Sequence, residues 1–237
     1  MFDLKEKFEF LEDGIDFPFY NDVPKLSRIE WLMLLVAVIL MVAYITIENM
    51  PFREDFFPII LFLLGVVPAL YVCKGNYGLF FKLPRLKDVK LIVGCVIGNY
   101  VYAFTIVLIF FALGIQTVAH GDSSTQVTLS RAIYQIIQLW GEEFFKIFIL
   151  LLVMFGVYKL SNDRKLSLIL GIAVTLIVFG LIHSRTYGGK ILQVLLIQGL
   201  GSIFELYAYL ETKNVVVSYI VHVIVDFIPD IVQLLGG

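Results

Sequence analysis

The sequence predicts an all-α, polytopic transmembrane helix bundle of about seven spans. Hydrophobic residues make up 59% of the 237 residues, well above the apolar fraction of about 45–50% in a soluble globular chain. The mean hydropathy is +0.90. The net charge is −2, so the protein lacks the excess of basic residues that nucleic-acid binding requires. We therefore expect an integral membrane protein whose partner is the lipid bilayer and which binds no nucleic acid.

Seven apolar stretches approach the length of about 17–25 residues that a transmembrane helix needs. They cover residues 30–47, 56–73, 91–113, 132–158, 166–183, 191–210 and 215–235. Residues 1–28 are acidic and aromatic and lack the basic start of a signal peptide, so they predict an N-terminal interfacial arm. Residues 29–237 then form one membrane-embedded domain, with its functional motifs within 130–230.

The orientation follows from the loops, because positively charged loops stay in the cytoplasm. Thirteen Lys and Arg residues lie in the N-terminal arm and in the second, fourth and sixth loops, whereas four lie in the opposite loops. This bias predicts a cell-membrane protein with a cytoplasmic N-terminus.

The fourth stretch carries charges that hydrocarbon would otherwise surround. Glu142 and Glu143 are followed by Lys146, and Gln135 and Gln138 share the helical face of Glu142. A charge at mid-bilayer costs about 2.5–3.5 kcal/mol on insertion scales, so such residues usually face a water-filled interior that serves ion passage, proton relay or catalysis. The alternative is a structural ion pair of these carboxylates with Lys146.

Two further stretches carry histidines. His183 ends the fifth stretch, four residues after Phe179, and an interfacial position is the alternative to a functional one. In the seventh stretch a second polar face consists of Ser218, His222, Asp226 and Asp230, spaced four residues apart. We expect Glu205, in the sixth stretch, to lie at the membrane interface.

Carboxylates and histidines in a membrane cavity suit hydrolytic chemistry. A desolvated glutamate is a competent general base toward water. Two histidines and a carboxylate can equally hold a zinc ion with one position open for water. The residues alone do not choose between these two sites.

The remaining motifs resemble one known family. HExxH, GxGD and GxSxG are absent, whereas Glu142-Glu143, the FxxxH pair Phe179 and His183, and the HxxxD pair His222 and Asp226 occur in that order. This arrangement resembles the CAAX protease and bacteriocin-processing (CPBP, or Abi) family, whose eukaryotic relatives are the type II CAAX prenyl endopeptidases. The resemblance covers about residues 130–230.

The resemblance implies a role for each motif residue. Glu142 would activate the water, with His183 helping to hold or polarise it. His222 and Asp226 would steady the oxyanion, with Glu143 in support. If a metal is present, its ligands would come from His183, His222, Glu143 and Asp226.

Three positions depart from the family pattern. Ile147 stands where the pattern EExxxR has Arg, with Lys146 one residue early. Tyr187 stands where prenyl endopeptidases have Asn, and Asp226 stands where many relatives have Asn. These departures concern substrate anchoring and catalysis, and they leave the base and both histidines in place.

The implied function is an intramembrane endopeptidase that hydrolyses a peptide bond of a membrane-associated peptide or protein. The first alternative is a member of the family without catalysis, acting as a membrane regulator or in bacteriocin self-immunity. A transporter is a third reading, which the lack of a visible internal repeat disfavours.

The expected depths of Glu142, His183 and His222 in the membrane differ too much for one site to contain all three in straight helices. At about 1.5 Å per residue, Glu142 lies ~15 Å, His183 ~5 Å and His222 ~20 Å below the outer face. Straight spans do not bring them together. A tilt, a misplaced boundary, or a break in the sixth stretch at Gly199 or Gly201 would close the gap.

Overall fold

The computed structural model describes residue 10 and residues 15–118 and 128–236, with the backbone alone at 53–55 and 233–236. Within these ranges it has seven helices long and apolar enough to cross a membrane and no β-strand, which confirms the all-α prediction. The helices are α1 (Arg28–Thr46), α2 (Arg53–Cys73), α3 (Leu86–Ala112), α4 (Leu129–Ser161), α5 (Arg164–Ile182), α6 (Ile191–Thr212) and α7 (Val215–Gly236).

Helices α3 and α4 extend furthest beyond their apolar stretches. Helix α3 begins at Leu86, and α4 runs for 33 residues from Leu129 to Ser161. The added turns carry polar and charged residues, which a hydropathy pattern does not count as part of a span. Hydropathy therefore predicted the hydrocarbon part of each helix, whereas the hydrogen-bonded helix extends beyond it.

Helix α4 is the centre of the bundle. Every residue from 141 to 151 is buried, and the helix packs against α1, α2, α5 and α7. Gly141 allows a close contact with α2, since a Cβ built there would stand 2.5 Å from the carbonyl oxygen of Leu61. The two acids that follow Gly141 are thereby held at the middle of the protein.

Helix α6 is broken in its middle. It consists of the α-helical turn Ile191–Gln193, the π-helical segment Val194–Gly199 and the α-helix Ile203–Thr212. π-Turns inside helices leave backbone carbonyls without their usual partners.

Helix α3 satisfies carbonyls of the broken helix and of α7. The Asn99 side-chain amide donates to the Gly201 carbonyl at 3.1 Å, and the Tyr102 hydroxyl donates to the Leu196 carbonyl at 2.7 Å. Pro229 in α7 frees the carbonyl four residues earlier, and the Tyr100 hydroxyl donates to that Val225 oxygen at 2.6 Å. Helix α3 thus supports both irregular spans.

One end of the bundle, here called the basal end, is closed by residues 15–26. Phe17, Phe19 and Tyr20 are buried there, and Asp16 accepts two hydrogen bonds from Arg164 at 2.9 and 2.6 Å. The division of the chain into an arm and a domain stays a prediction, and residues 1–9 and 11–14 of the arm lie outside the described residues.

Lys213, in the turn between α6 and α7, is buried at the basal end. Its Nζ donates to the carbonyls of Phe10 and Leu210 and lies 4.6 Å from the ring centroid of Phe17. Burial lowers the pKa of Lys213 to about 8. The turn that joins α6 to α7 is therefore fixed from both sides by the arm and its own helix.

Candidate active site

The polar residues of α4, α6 and α7 meet inside the bundle. We call five of them the charged cluster: Glu142, Glu143, Lys146, Glu205 and His222. All five are buried. Buried charges in a membrane protein have to be paired, so the contacts within this cluster determine what it can do.

Glu143 fixes the imidazole of His222. Its Oε1 lies 2.7 Å from His222 Nδ1, and the Ser218 hydroxyl hydrogen-bonds to its other oxygen. Because an ionised carboxylate only accepts hydrogen bonds, this contact assigns a proton to Nδ1 and leaves Nε2 directed away from Glu143. The carboxylate therefore orients the histidine, as in triad-type hydrolytic sites.

Lys146 forms ion pairs with two carboxylates at once. Its Nζ lies 2.6 Å from Glu143 Oε1 and forms a second ion pair with Glu205. The ammonium also lies 4.8 Å from the ring centroid of Phe179. The structural ion pair that the sequence left open thus forms through Glu143, and Ile147, at the position of the family arginine, is buried in the core.

Glu142 faces the free side of His222. Its Oε2 lies 3.9 Å from His222 Nε2, and its Oε1 accepts a hydrogen bond of 2.7 Å from the Gln138 amide. Asp226 Oδ2 lies 3.8 Å from the same Nε2. These separations exceed a direct hydrogen bond and suit one bridging water.

The site becomes more exposed toward the opposite, distal end of the bundle. Side-chain exposure rises from 1% at Glu143 and 5% at His222 to 11% at Glu142 and 34% at Asp226. Asp226 accepts from the Gln135 amide at 3.4 Å. Asp226 and Glu142 are therefore the more accessible carboxylates around His222, and Glu143 is the least accessible.

His183 does not join the charged cluster. Helix α5 ends at Ile182, and the His183 Nδ1 is hydrogen-bonded to the Phe179 carbonyl at 2.7 Å. In the part of the chain that the structure describes, His183 pairs with no carboxylate. Its ring contacts the ring of Phe179, with centroids 4.8 Å apart.

Glu205 was expected at the membrane interface, and that expectation is wrong. The residue is 4% exposed and pairs with Lys146. Glu205 lies just beyond the break in α6, and a helical pattern drawn through a straight span cannot tell where such a residue points. The signal that could have found it was an acid in an apolar stretch, which by itself indicates a buried partner.

The expected difference in depth does not separate Glu142 from His222. The break in α6 ends near Gly199, one of the two glycines at which the sequence allowed it. Gly199 also permits close packing against α5, since a Cβ on Gly180 would stand 3.0 Å from the Gly199 Cα. The irregular backbone lies beside the polar interior, where such backbone is tolerated.

A metal would meet a different ligand set from the one that the resemblance implied. Glu143, Glu205 and His222 offer ligand atoms that all lie within 4.8 Å of one another. However, the Lys146 ammonium contacts both of these carboxylates, so a cation already pairs with them. The donor set as it stands does not fit a divalent ion in addition.

Comparison with known proteins gives one match. A family model described as "Type II CAAX prenyl endopeptidase Rce1-like" matches residues 124–228. This range contains every residue of the charged cluster together with His183 and Asp226. No curated protein and no solved structure matches the chain.

Proposed function

We propose that the chain is an intramembrane endopeptidase that uses water activated by Glu142, since residues 124–228 match the family model of Rce1-like type II CAAX prenyl endopeptidases. Its substrate would be a peptide or protein associated with the membrane. The observation that carries this proposal is the separation of 3.9 Å between Glu142 Oε2 and His222 Nε2, which is too long for a direct hydrogen bond and leaves a water to join the two groups.

Glu142 serves as the general base in this proposal. It takes a proton from the bridging water, and the hydroxide adds to the scissile carbonyl carbon. When the tetrahedral intermediate collapses, the C–N bond breaks and the protonated Glu142 gives its proton to the leaving amine. The products are a carboxylic acid and an amine, which exchange a proton to become a carboxylate and an ammonium ion, and no other reactant is needed.

His222 and Asp226 act on the other side of the water. In the oxyanion role His222 donates from Nε2, so that nitrogen must carry a proton while Glu143 holds Nδ1. Asp226 accepts a hydrogen bond from Gln135, which supports a role as an orienting carboxylate. For His183, which is hydrogen-bonded to Phe179, we propose a supporting role at the edge of the site.

We propose that the reaction needs no tightly bound metal. The two carboxylates closest to His222 Nδ1 are already paired with Lys146, and Glu142 with His222 supplies both a base and a group that orients water. Stoichiometric zinc in the purified protein, with activity lost to a chelator and restored by zinc, would overturn this point.

The decisive experiment is peptide hydrolysis by the wild type and by Glu142→Gln. The substitution keeps the shape of the side chain and removes its basicity, so we expect a loss of at least about a hundredfold in hydrolysis, with unchanged expression and unfolding temperature. His222→Ala should lose more activity than His183→Ala, because His222 Nε2 lies 3.9 Å from Glu142, whereas His183 is hydrogen-bonded to the Phe179 carbonyl. Equal hydrolysis by Glu142→Gln and the wild type would refute Glu142 as the base, and no hydrolysis by either would favour a regulator without proteolytic activity.

We further propose that the N-terminus faces the cytoplasm of a cell membrane. The ion pairs of the basic loops support this, since Lys74, Lys159 and Arg164 all bind acids at the basal end. A cytoplasmic basal end would leave the more exposed side of the catalytic groups directed away from the cytoplasm.

A further inference from the structure

The charged cluster contains a ready set of metal ligands. Glu143, Glu205 and His222 come from three different helices, and one ligand atom of each lies within 4.8 Å of the others. All three side chains are at most 5% exposed. Two carboxylates and one imidazole form a donor set that takes a divalent cation when no other cation is present.

Lys146 supplies the cation instead. Its Nζ touches one oxygen of Glu143 at 2.6 Å and pairs with Glu205 from the other side. Its side chain is 1% exposed, and the ring of Phe179 covers the ammonium at 4.8 Å. Two buried carboxylates and one buried ammonium then leave a single net negative charge beside the imidazole.

Glu205 holds this ammonium in place. Lys146 and Glu143 are on the same helix, three residues apart, and could pair in several rotamers. Glu205 reaches them from α6, and its backbone carbonyl lies 2.9 Å from the hydroxyl of Ser218, which also binds Glu143. The partners of the catalytic histidine are thereby fixed from two sides.

We propose that Lys146 and Glu205 are positioning residues, with the Lys146 ammonium standing where a metal ion would otherwise bind and fixing Glu143 against His222. The part of this inference that concerns activity rests on the proposed function. The part that concerns the cation does not, because metal binding can be measured without any substrate.

The cation part is tested by zinc content. Wild type, Lys146→Met and the double variant Lys146→Met with Glu205→Gln are incubated with zinc, desalted and analysed for metal and protein. We expect about one zinc per chain in Lys146→Met and none in the wild type. The double variant keeps the net charge of the wild type and lacks one ligand, so it should also bind none.

The unfolding temperature with and without zinc provides a second measurement. Should Lys146→Met fold poorly because two buried acids lose their partner, added zinc should raise its unfolding temperature and leave that of the wild type unchanged. Zinc in the wild type, or no difference between Lys146→Met and the wild type in either measurement, would overturn the inference.

The positioning part is tested by kinetics. Glu205→Gln should lower kcat by about 10–100-fold, the range for residues that orient a catalytic group, with KM unchanged. Glu211→Gln, on the same helix and outside the charged cluster, is the matched control and should behave as the wild type. Equal kcat in the two variants would refute a positioning role, whereas an inactive wild type would refute the proposed function and leave the zinc result standing.

Discussion

Gly141 offers a quantitative test of the packing that holds the catalytic helix. In Gly141→Ala the new Cβ would stand 2.5 Å from the Leu61 carbonyl oxygen and 2.6 Å from the Leu61 carbonyl carbon. Ordinary contact begins at 3.4 Å, so α2 and α4 would have to separate by about 0.9 Å at this point. Both atoms belong to the backbone, which cannot move aside as a flexible side chain can.

The expected effect follows from two opposing contributions. Overpacking costs about 1–3 kcal/mol, and replacing glycine by alanine inside a helix gains about 1 kcal/mol. Gly156→Ala is the matched control, because Gly156 is on the same helix and a Cβ there meets nothing within 4 Å. The helix gain is common to both variants, so the free energies of unfolding should differ by about 1–3 kcal/mol.

The assay is reversible unfolding of both variants in mixed detergent micelles, followed by circular dichroism. Gly141→Ala should be the less stable variant and should also lose hydrolytic activity, since the shift moves the neighbouring Glu142. Equal stability of the two alanine variants would show that α2 and α4 do not approach as closely as described, and the reasoning would fail.

Two further predictions concern the basal end. Burial lowers the pKa of Lys213 from 10.5 to about 8. Between these pH values the unfolded chain binds more protons than the folded protein, so the free energy of unfolding should rise with pH. The unfolding midpoint should show this rise for the wild type and not for Lys213→Met. Val23, in the arm, is 67% exposed, so a membrane-impermeant maleimide should label Val23→Cys from the cytoplasmic side alone. Cys73 and Cys95 are buried and should not react. Labelling from the opposite side would reverse the proposed orientation.

The helices and the polar face of α7 could be predicted because each depends on local periodicity. Ser218, His222 and Asp226 recur every four residues, and this spacing holds whatever the neighbouring helices do. The number of spans followed from hydropathy in the same way. What the local pattern cannot supply is the partner of each polar residue, and Glu205 was misjudged for that reason.

His183 illustrates the same limit. The sequence places His183 at the end of the fifth stretch, and α5 does end at Ile182. Whether a histidine at such an end turns toward the interior depends on the loop that follows, which has no periodicity. The inward Glu142 was easier to predict, since it lies on a polar stripe in the middle of an unbroken helix.

The hydrogen bonds from α3 also bear on how the chain is assembled during synthesis. Asn99, Tyr100 and Tyr102 enter the membrane well before α6 and α7 leave the ribosome, because α3 precedes both in the chain. The later, interrupted spans therefore arrive when donors for their freed carbonyls are already present. If the order were reversed, these carbonyls would be in the lipid without hydrogen-bond donors until α3 was inserted, at a cost of several kcal/mol for each group. The order of the helices in the gene thus suits their insertion as well as the final fold.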